Sequence, residues 1–176
     1  MDILPVLKTG KLIVLYTPDA ARTESMTLIA ELGLRGAVTI MDGGNRYRPY
    51  QVATLLRRKT VDISTSANRL SSRRAFTCYE MNTLLWSTPS LNQPYVILDL
   101  LNTFYDDHVP TREACRLLTS CLNQINRLQL SAPVVITLAP PLVEERAFLI
   151  EQVCEKADQV LTLETSAPII TQPALF

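Results

Sequence analysis

The chain has 176 residues, 47% of them hydrophobic and 19% charged, with 17 basic and 17 acidic side chains that leave no net charge. That composition predicts one globular domain with a sizeable core, and it excludes a global field drawing the chain to nucleic acid or membrane. No apolar run approaches a membrane span and residues 1–8 lack a signal-peptide stretch. The four cysteines form no C-x-x-C pair, so reduced, mostly buried thiols, no metal site and a cytoplasmic location are expected.

Apolar runs and helical patterns alternate along the chain. The pattern predicts strands at Leu12–Tyr16, Ala37–Met41, Val61–Ser64, Tyr95–Leu98, Val134–Leu138 and Gln159–Leu163. Several are continuously apolar and β-branched, as expected of a parallel sheet covered on both faces. Helices are predicted at 26–34, Tyr50–Arg58, Arg69–Trp86, Pro110–Leu130 and Glu144–Lys156. In the fourth, Ala114, Leu117, Leu118, Cys121, Leu122, Ile125 and Leu128 recur at three- and four-residue steps, and Pro110 suits a first turn. Phe76, Met81 and Trp86 read as core. The alternation predicts an α/β three-layer sandwich with a mainly parallel central sheet. Residues 1–164 are expected to form the domain. Residues 165–176, with two prolines and no periodicity, read as a C-terminal tail.

In open α/β sheets ligands bind beyond the carboxyl ends of the strands. The segments placed there are 18–25, Asp42-Gly-Gly-Asn45, Asp99 with the loop after it, and Ala139-Pro-Pro141. A phosphate-binding loop in the first of these would read G-x-x-x-x-G-K-[ST]. Pro18 and Thr23 stand where the glycines would be, Glu24 replaces the lysine, and only Ser25 matches. Asp99 ends an apolar strand and reads as a local hydrogen-bond acceptor. His108, the only histidine, sits in an acidic loop and reads as solvated.

Charge is unevenly spread. Between Gly44 and Arg74 eight basic residues (Arg46, Arg48, Arg57, Arg58, Lys59, Arg69, Arg73, Arg74) face one acid, Asp62. From Asp99 onward ten acids face five bases. Arg57, Arg58, Lys59, Arg69, Arg73 and Arg74 are therefore candidate contacts for nucleic acid or an acidic partner. The competing expectation is that they are solvated or pair with the chain's own carboxylates. Arg69 and Arg73 are spaced to share one helix face with Tyr79 and Glu80.

The order of these pieces resembles the RecA-like recombinase and ATPase core of the P-loop NTPase superfamily, with RadA and KaiC among its members. Thr39-Ile-Met-Asp-Gly-Gly-Asn-Arg-Tyr-Arg-Pro49 resembles that family's strand ending in I-D-T-E-G-x-F-R-P. Arg73-Arg-Ala-Phe76 resembles its R-A-x segment, and Tyr95-Val-Ile-Leu-Asp99 its Walker B strand. Asn102-Thr-Phe-Tyr105 and the long helix after it fit the next segment. The resemblance spans about residues 10–164.

It implies a degenerate Walker A loop. The family's lysine falls on Glu24, its first glycine on Pro18, and its water-orienting glutamate on Gly44. Arg22, Thr23, Ser25, Asp42 and Asp99 remain as a vestigial nucleotide-binding set. ATP and Mg²⁺ are disfavoured as cofactors, since phosphoryl transfer is positioning and charge stabilisation, and those parts are missing. The family's DNA-contacting loops are reduced to Tyr105–Pro110, which is acidic, and residues 139–143. The resemblance therefore implies a non-catalytic binding or assembly module, forming a homo-oligomer or pairing with an active RecA-like protein. The alternatives are a DNA repair or recombination accessory binding nucleic acid through Arg57–Arg74, and an atypical NTPase.

Overall fold

The structure, a computed structural model, describes residues 4–18, 21–142 and 144–162. Six strands form one sheet: β1 Leu12–Tyr16, β2 Val38–Asp42, β3 Leu70–Arg74, β4 Tyr95–Leu98, β5 Val134–Leu138 and β6 Gln159–Thr162. They lie in the order β3-β2-β4-β5-β1-β6, and every pairing is parallel. Parallel neighbours need crossovers, and helices supply them. These are α1 Arg22–Arg35, α2 Pro49–Arg57, α3 Ile63–Asn68, α4 Cys78–Ser87, α5 Thr111–Gln129 and α6 Phe148–Cys154. The tail expected at 165–176 lies outside the described residues.

Two cores explain why the central strands are apolar at every position. Leu12, Val14, Met41, Tyr95, Ile97, Val134 and Ile136 pack under α4, α5 and α6. Their alternating neighbours Ile13, Leu15, Val38, Ile40, Val96, Leu98 and Val135 pack under α1 and α2. A period-2 strand with helices on both faces must be hydrophobic throughout. The α5 stripe is buried at all seven positions from Ala114 to Leu128, with Pro110 directly preceding the helix.

Two expected elements are corrected. Val61–Ser64 is not a strand: helix α3 starts at Ile63, capped by Asp62, whose carboxylate accepts the Thr65 N–H at 3.1 Å. Arg69–Trp86 is not one helix but strand β3 followed by α4. Thr77 caps α4 by accepting the Glu80 N–H at 3.1 Å, while Glu80 accepts the Phe76 N–H at 2.7 Å. This reciprocal pair is a capping box, and T-x-x-E at 77–80 was its sequence signal. Arg69 and Arg73 therefore share no helix face. Phe76 and Trp86 are also corrected: they stand 74% and 65% exposed, while Met81 is buried. Among the described residues no helix is long and apolar enough to cross a membrane.

Candidate functional site

The carboxyl ends of β1, β2, β4 and β5 converge on a cleft of about 410 Å³. Its walls are Pro18 after β1, Arg46 from the β2 loop, Asp99, Asn102, Tyr105 and Asp107 after β4, and residues 139–142 with Glu145 and Arg146 after β5. Two contacts join the last two walls. Arg146 is buried, and its guanidinium donates to the carbonyls of Phe104 and Val109. The Tyr105 hydroxyl donates to the Ala139 carbonyl at 2.9 Å, and burial raises the pKa of that phenol.

At the floor two buried carboxylates are matched with two arginines. Asp42 is 1% exposed and organises its own loop, accepting the N–H groups of Arg46 at 2.8 Å and Tyr47 at 3.1 Å. Arg74 adds an ion pair at 3.2 Å across the β2–β3 edge. Asp99, also 1% exposed, takes the left-handed backbone conformation with φ 49°. Its N–H donates to the Thr137 hydroxyl at 2.8 Å, and its Oδ2 accepts Arg46 Nε at 2.8 Å. Its other oxygen, Oδ1, is fully buried, and the Ala139 N–H also stabilises the charged carboxylate. Burial raises the carboxyl's pKa, and the Arg46 pair opposes that rise.

The glycines of the β2 loop are required by this packing. A Cβ at Gly44 would lie 2.4 Å from Asp99 Oδ2, and one at Gly43 would lie 2.9 Å from the Asp99 carbonyl oxygen. The Asp99 carboxylate thus occupies the space that a side chain at 44 would need.

The loop after β1 is spent locally. Helix α1 begins at Arg22, four residues earlier than the periodicity predicted, so Thr23, Glu24 and Ser25 belong to its first turn. Arg22 and Thr23 are exposed there. Ser25 is buried, and its hydroxyl donates to the Ala21 carbonyl at 2.5 Å. Ala21 itself is left-handed, with φ 51°, and its N–H donates to the Thr17 hydroxyl. Of the five residues expected as a vestigial nucleotide-binding set, only Asp99 lines the cleft. With Pro18 lacking an N–H, Ser25 turned onto the backbone and Arg46 on Asp99, the residues present do not fit a magnesium–polyphosphate group.

The basic run disperses. Lys59 pairs with Glu31, and Arg48 donates to the Asn45 carbonyl at 2.8 Å. Arg69 donates to the Leu34 carbonyl at 3.1 Å, at the carboxyl end of α1, where a cation is favourable. Arg57, Arg58 and Arg73 are exposed, and their side chains make no hydrogen bond or ion pair among the described residues. They do not form one patch. Arg73 pairs in register with Met41, which faces the α4 side, whereas Arg57 and Arg58 end α2 on the opposite face.

His108 is exposed and paired with Asp106 at 2.9 Å, which raises its pKa. Arg46 and Arg146 are the functional-site residues that sequence reasoning passed over. Arg46 lies inside the Thr39–Pro49 match, but nothing in the sequence ties it to Asp99 or ties Arg146 to the β4 loop. No protein-family model and no curated protein matches the chain.

Proposed function

We propose that this chain is a non-catalytic domain of RecA-like type, acting as a binding or assembly module without nucleotide hydrolysis. The all-parallel sheet in the order β3-β2-β4-β5-β1-β6, with its cleft beyond the carboxyl ends, is compatible with such a core. One observation carries the reading: Arg46 Nε sits 2.8 Å from Asp99 Oδ2, directly over Gly44, where no side chain fits. The position that resembles a Walker B aspartate is thus neutralised from within, and the position that would hold a water-orienting glutamate is sterically closed. Phosphate release from ATP or GTP with Mg²⁺ tests it. The expected result is no turnover above that of an Asp99→Ala control; turnover that Asp99→Ala abolishes would overturn the reading.

The nucleic-acid reading keeps one supporting observation: Arg57 and Arg58 at the end of α2 are exposed, with side chains unpaired among the described residues. It now rests on those two residues rather than on the whole Gly44–Arg74 run, because Lys59, Arg69 and Arg74 are engaged within the fold.

A further inference from the structure

Helix α4 carries large apolar side chains on two opposite faces. At 3.6 residues per turn, Cys78, Met81 and Leu85 turn into the core, while Tyr79, Thr83 and Trp86 fall within about 60° of arc on the other side. Trp86, the chain's only tryptophan, is 65% exposed and Tyr79 is 48% exposed. Phe76 stands 74% exposed in the turn just before the helix. An aromatic side chain has about 200 Å² to bury, so these three leave about 400 Å² in water. A surface helix ordinarily turns polar residues outward, and aromatic residues gathered on that face mark a second covering surface.

The charges around the stripe narrow what could cover it. Helix α5 lies beside α4 and runs the same way: Arg116 interacts electrostatically with Tyr79, Cys121 Sγ is 3.8 Å from Asn82 Oδ1, and Arg127 donates to the Leu85 carbonyl at 3.1 Å. Most of this layer's charge is spent locally. Arg116 closes a two-point pair with Glu113, at 2.9 and 2.6 Å, and Glu80 is engaged in its capping box. Arg73 and Arg112 have side chains unpaired among the described residues, and both lie toward the amino-terminal ends of the two helices. A nucleic acid needs a cationic track along the aromatic stripe, and a strongly charged peptide needs an opposing field. The stripe from Tyr79 to Trp86 offers neither. It suits a partner face that is itself neutral and aromatic.

We propose that this face is the twofold interface of a homodimer, with α4 of one copy lying antiparallel on α4 of the other across Thr83. The stripe is self-complementary in that arrangement. Tyr79 and Trp86 lie four residues before and three residues after Thr83, so the axis sets each Tyr79 against the other copy's Trp86. Thr83 is the small member of the stripe and lets the two helices approach. Antiparallel placement carries Arg73 and Arg112 toward the carboxyl ends of the other copy's helices, where a cation is favoured, and keeps each arginine away from its own counterpart. Two copies withdraw about 800 Å² of aromatic surface, half of a standard interface of about 1,600 Å², and the polar residues around the stripe supply the rim. The inference rests on the assembly reading and names its partner as a second copy of this chain.

Sedimentation equilibrium of the whole chain tests it, with the emission of the single tryptophan as a second readout. The expected result is a monomer–dimer equilibrium, with Trp86 emission moving to shorter wavelength as concentration rises and the indole leaves water. Trp86→Glu and Tyr79→Ser change exposed positions, so circular dichroism should show an intact fold, and each should weaken association at least about tenfold. Thr83→Cys should give a covalent dimer under mild oxidation by diamide, because a residue on a twofold axis meets its own copy. The wild type, whose Cys78 and Cys121 are buried, is the control for that reaction. A chain that stays monomeric overturns the inference and leaves the assembly reading only its pairing with a different protein. Association undiminished in both Trp86→Glu and Tyr79→Ser also overturns it, but keeps the assembly reading, since another surface is then in use. Crosslinking of Thr83→Cys no faster than wild type rules out the twofold axis. An emission shift on adding a single-stranded oligonucleotide to a monomeric chain assigns the face to nucleic acid and overturns the inference. Nucleotide hydrolysis, measured separately, would sink the non-catalytic reading without bearing on the dimer.

Discussion

Two arginine-bearing regions lie close in sequence and behave in opposite ways. At the carboxyl ends of β2 and β3, Arg46 and Arg74 turn inward onto Asp99 and Asp42, two carboxylates that are each 1% exposed. At the end of α2, the side chains of Arg57 and Arg58 stand in solvent without partners among the described residues. Composition treats all four as one basic stretch. Burial separates them: a carboxylate taken out of water needs a cation and hydrogen bonds beside it, whereas an exposed arginine is solvated and contributes little to stability. The local excess of positive charge is thus partly a structural device for the sheet's carboxyl edge, and only its remainder is available to a partner.

The largest break in this contrast is Asp42→Ala. It removes the acceptor for two backbone N–H groups and the partner of Arg74, and should cost about 3 kcal/mol in denaturant unfolding. A loss no greater than that of an exposed charge would mean that the inward pair is ornamental. Gly44→Ala comes next. The added methyl group must displace Asp99, so overpacking of about 2 kcal/mol is expected, read as a lower melting temperature. Gly44→Glu should be at least as destabilising and should not confer hydrolysis.

A third prediction concerns the opposite end of the sheet. The Asp158 carboxyl is held below its ordinary value of 3.8, first by the Lys11 ammonium and then by the Leu12 N–H. A depressed carboxylate contributes stability above its unfolded value and loses it as pH falls through the folded one. Wild type should therefore exceed Asp158→Asn by less than about 1 kcal/mol at neutral pH, since the pair is partly exposed. That advantage should vanish as the pH falls below the ordinary value. An advantage that persists in acid would assign it to packing instead of charge.

The smallest expected effect sharpens the comparison from the solvent side. Arg57→Ala with Arg58→Ala should change stability by less than about 0.5 kcal/mol. If the nucleic-acid reading holds, the same double variant weakens single-stranded DNA binding at low salt, measured by fluorescence anisotropy. Unchanged binding would remove that reading, and a large stability loss would place these arginines in the fold after all.

The sequence alone marked the central strands of the sheet. Continuous apolar runs at 12–16, 95–98 and 134–138 and the long α5 stripe follow from residues whose hydrophobicity repeats with the element's own period. Such signals need no knowledge of distant partners. It also showed that segment 18–25 carries neither the glycines nor the lysine of a phosphate-binding loop. Tertiary structure alone decided the rest. Leu70–Arg74 has no strand signature of its own, and it becomes an edge strand only because β2 offers it a ladder. Phe76 and Trp86 read as core by residue type, but Phe76 stands exposed in the turn before α4 and Trp86 on the helix's uncovered side. Arg46 reaches Asp99 across 53 positions in the chain, and Arg146 reaches Phe104 across 42. Those contacts, which build the cleft and close over Asp99, arise from the order in which parallel strands are laid side by side. Strand order is set by packing of the whole domain, and no local pattern of residues encodes it.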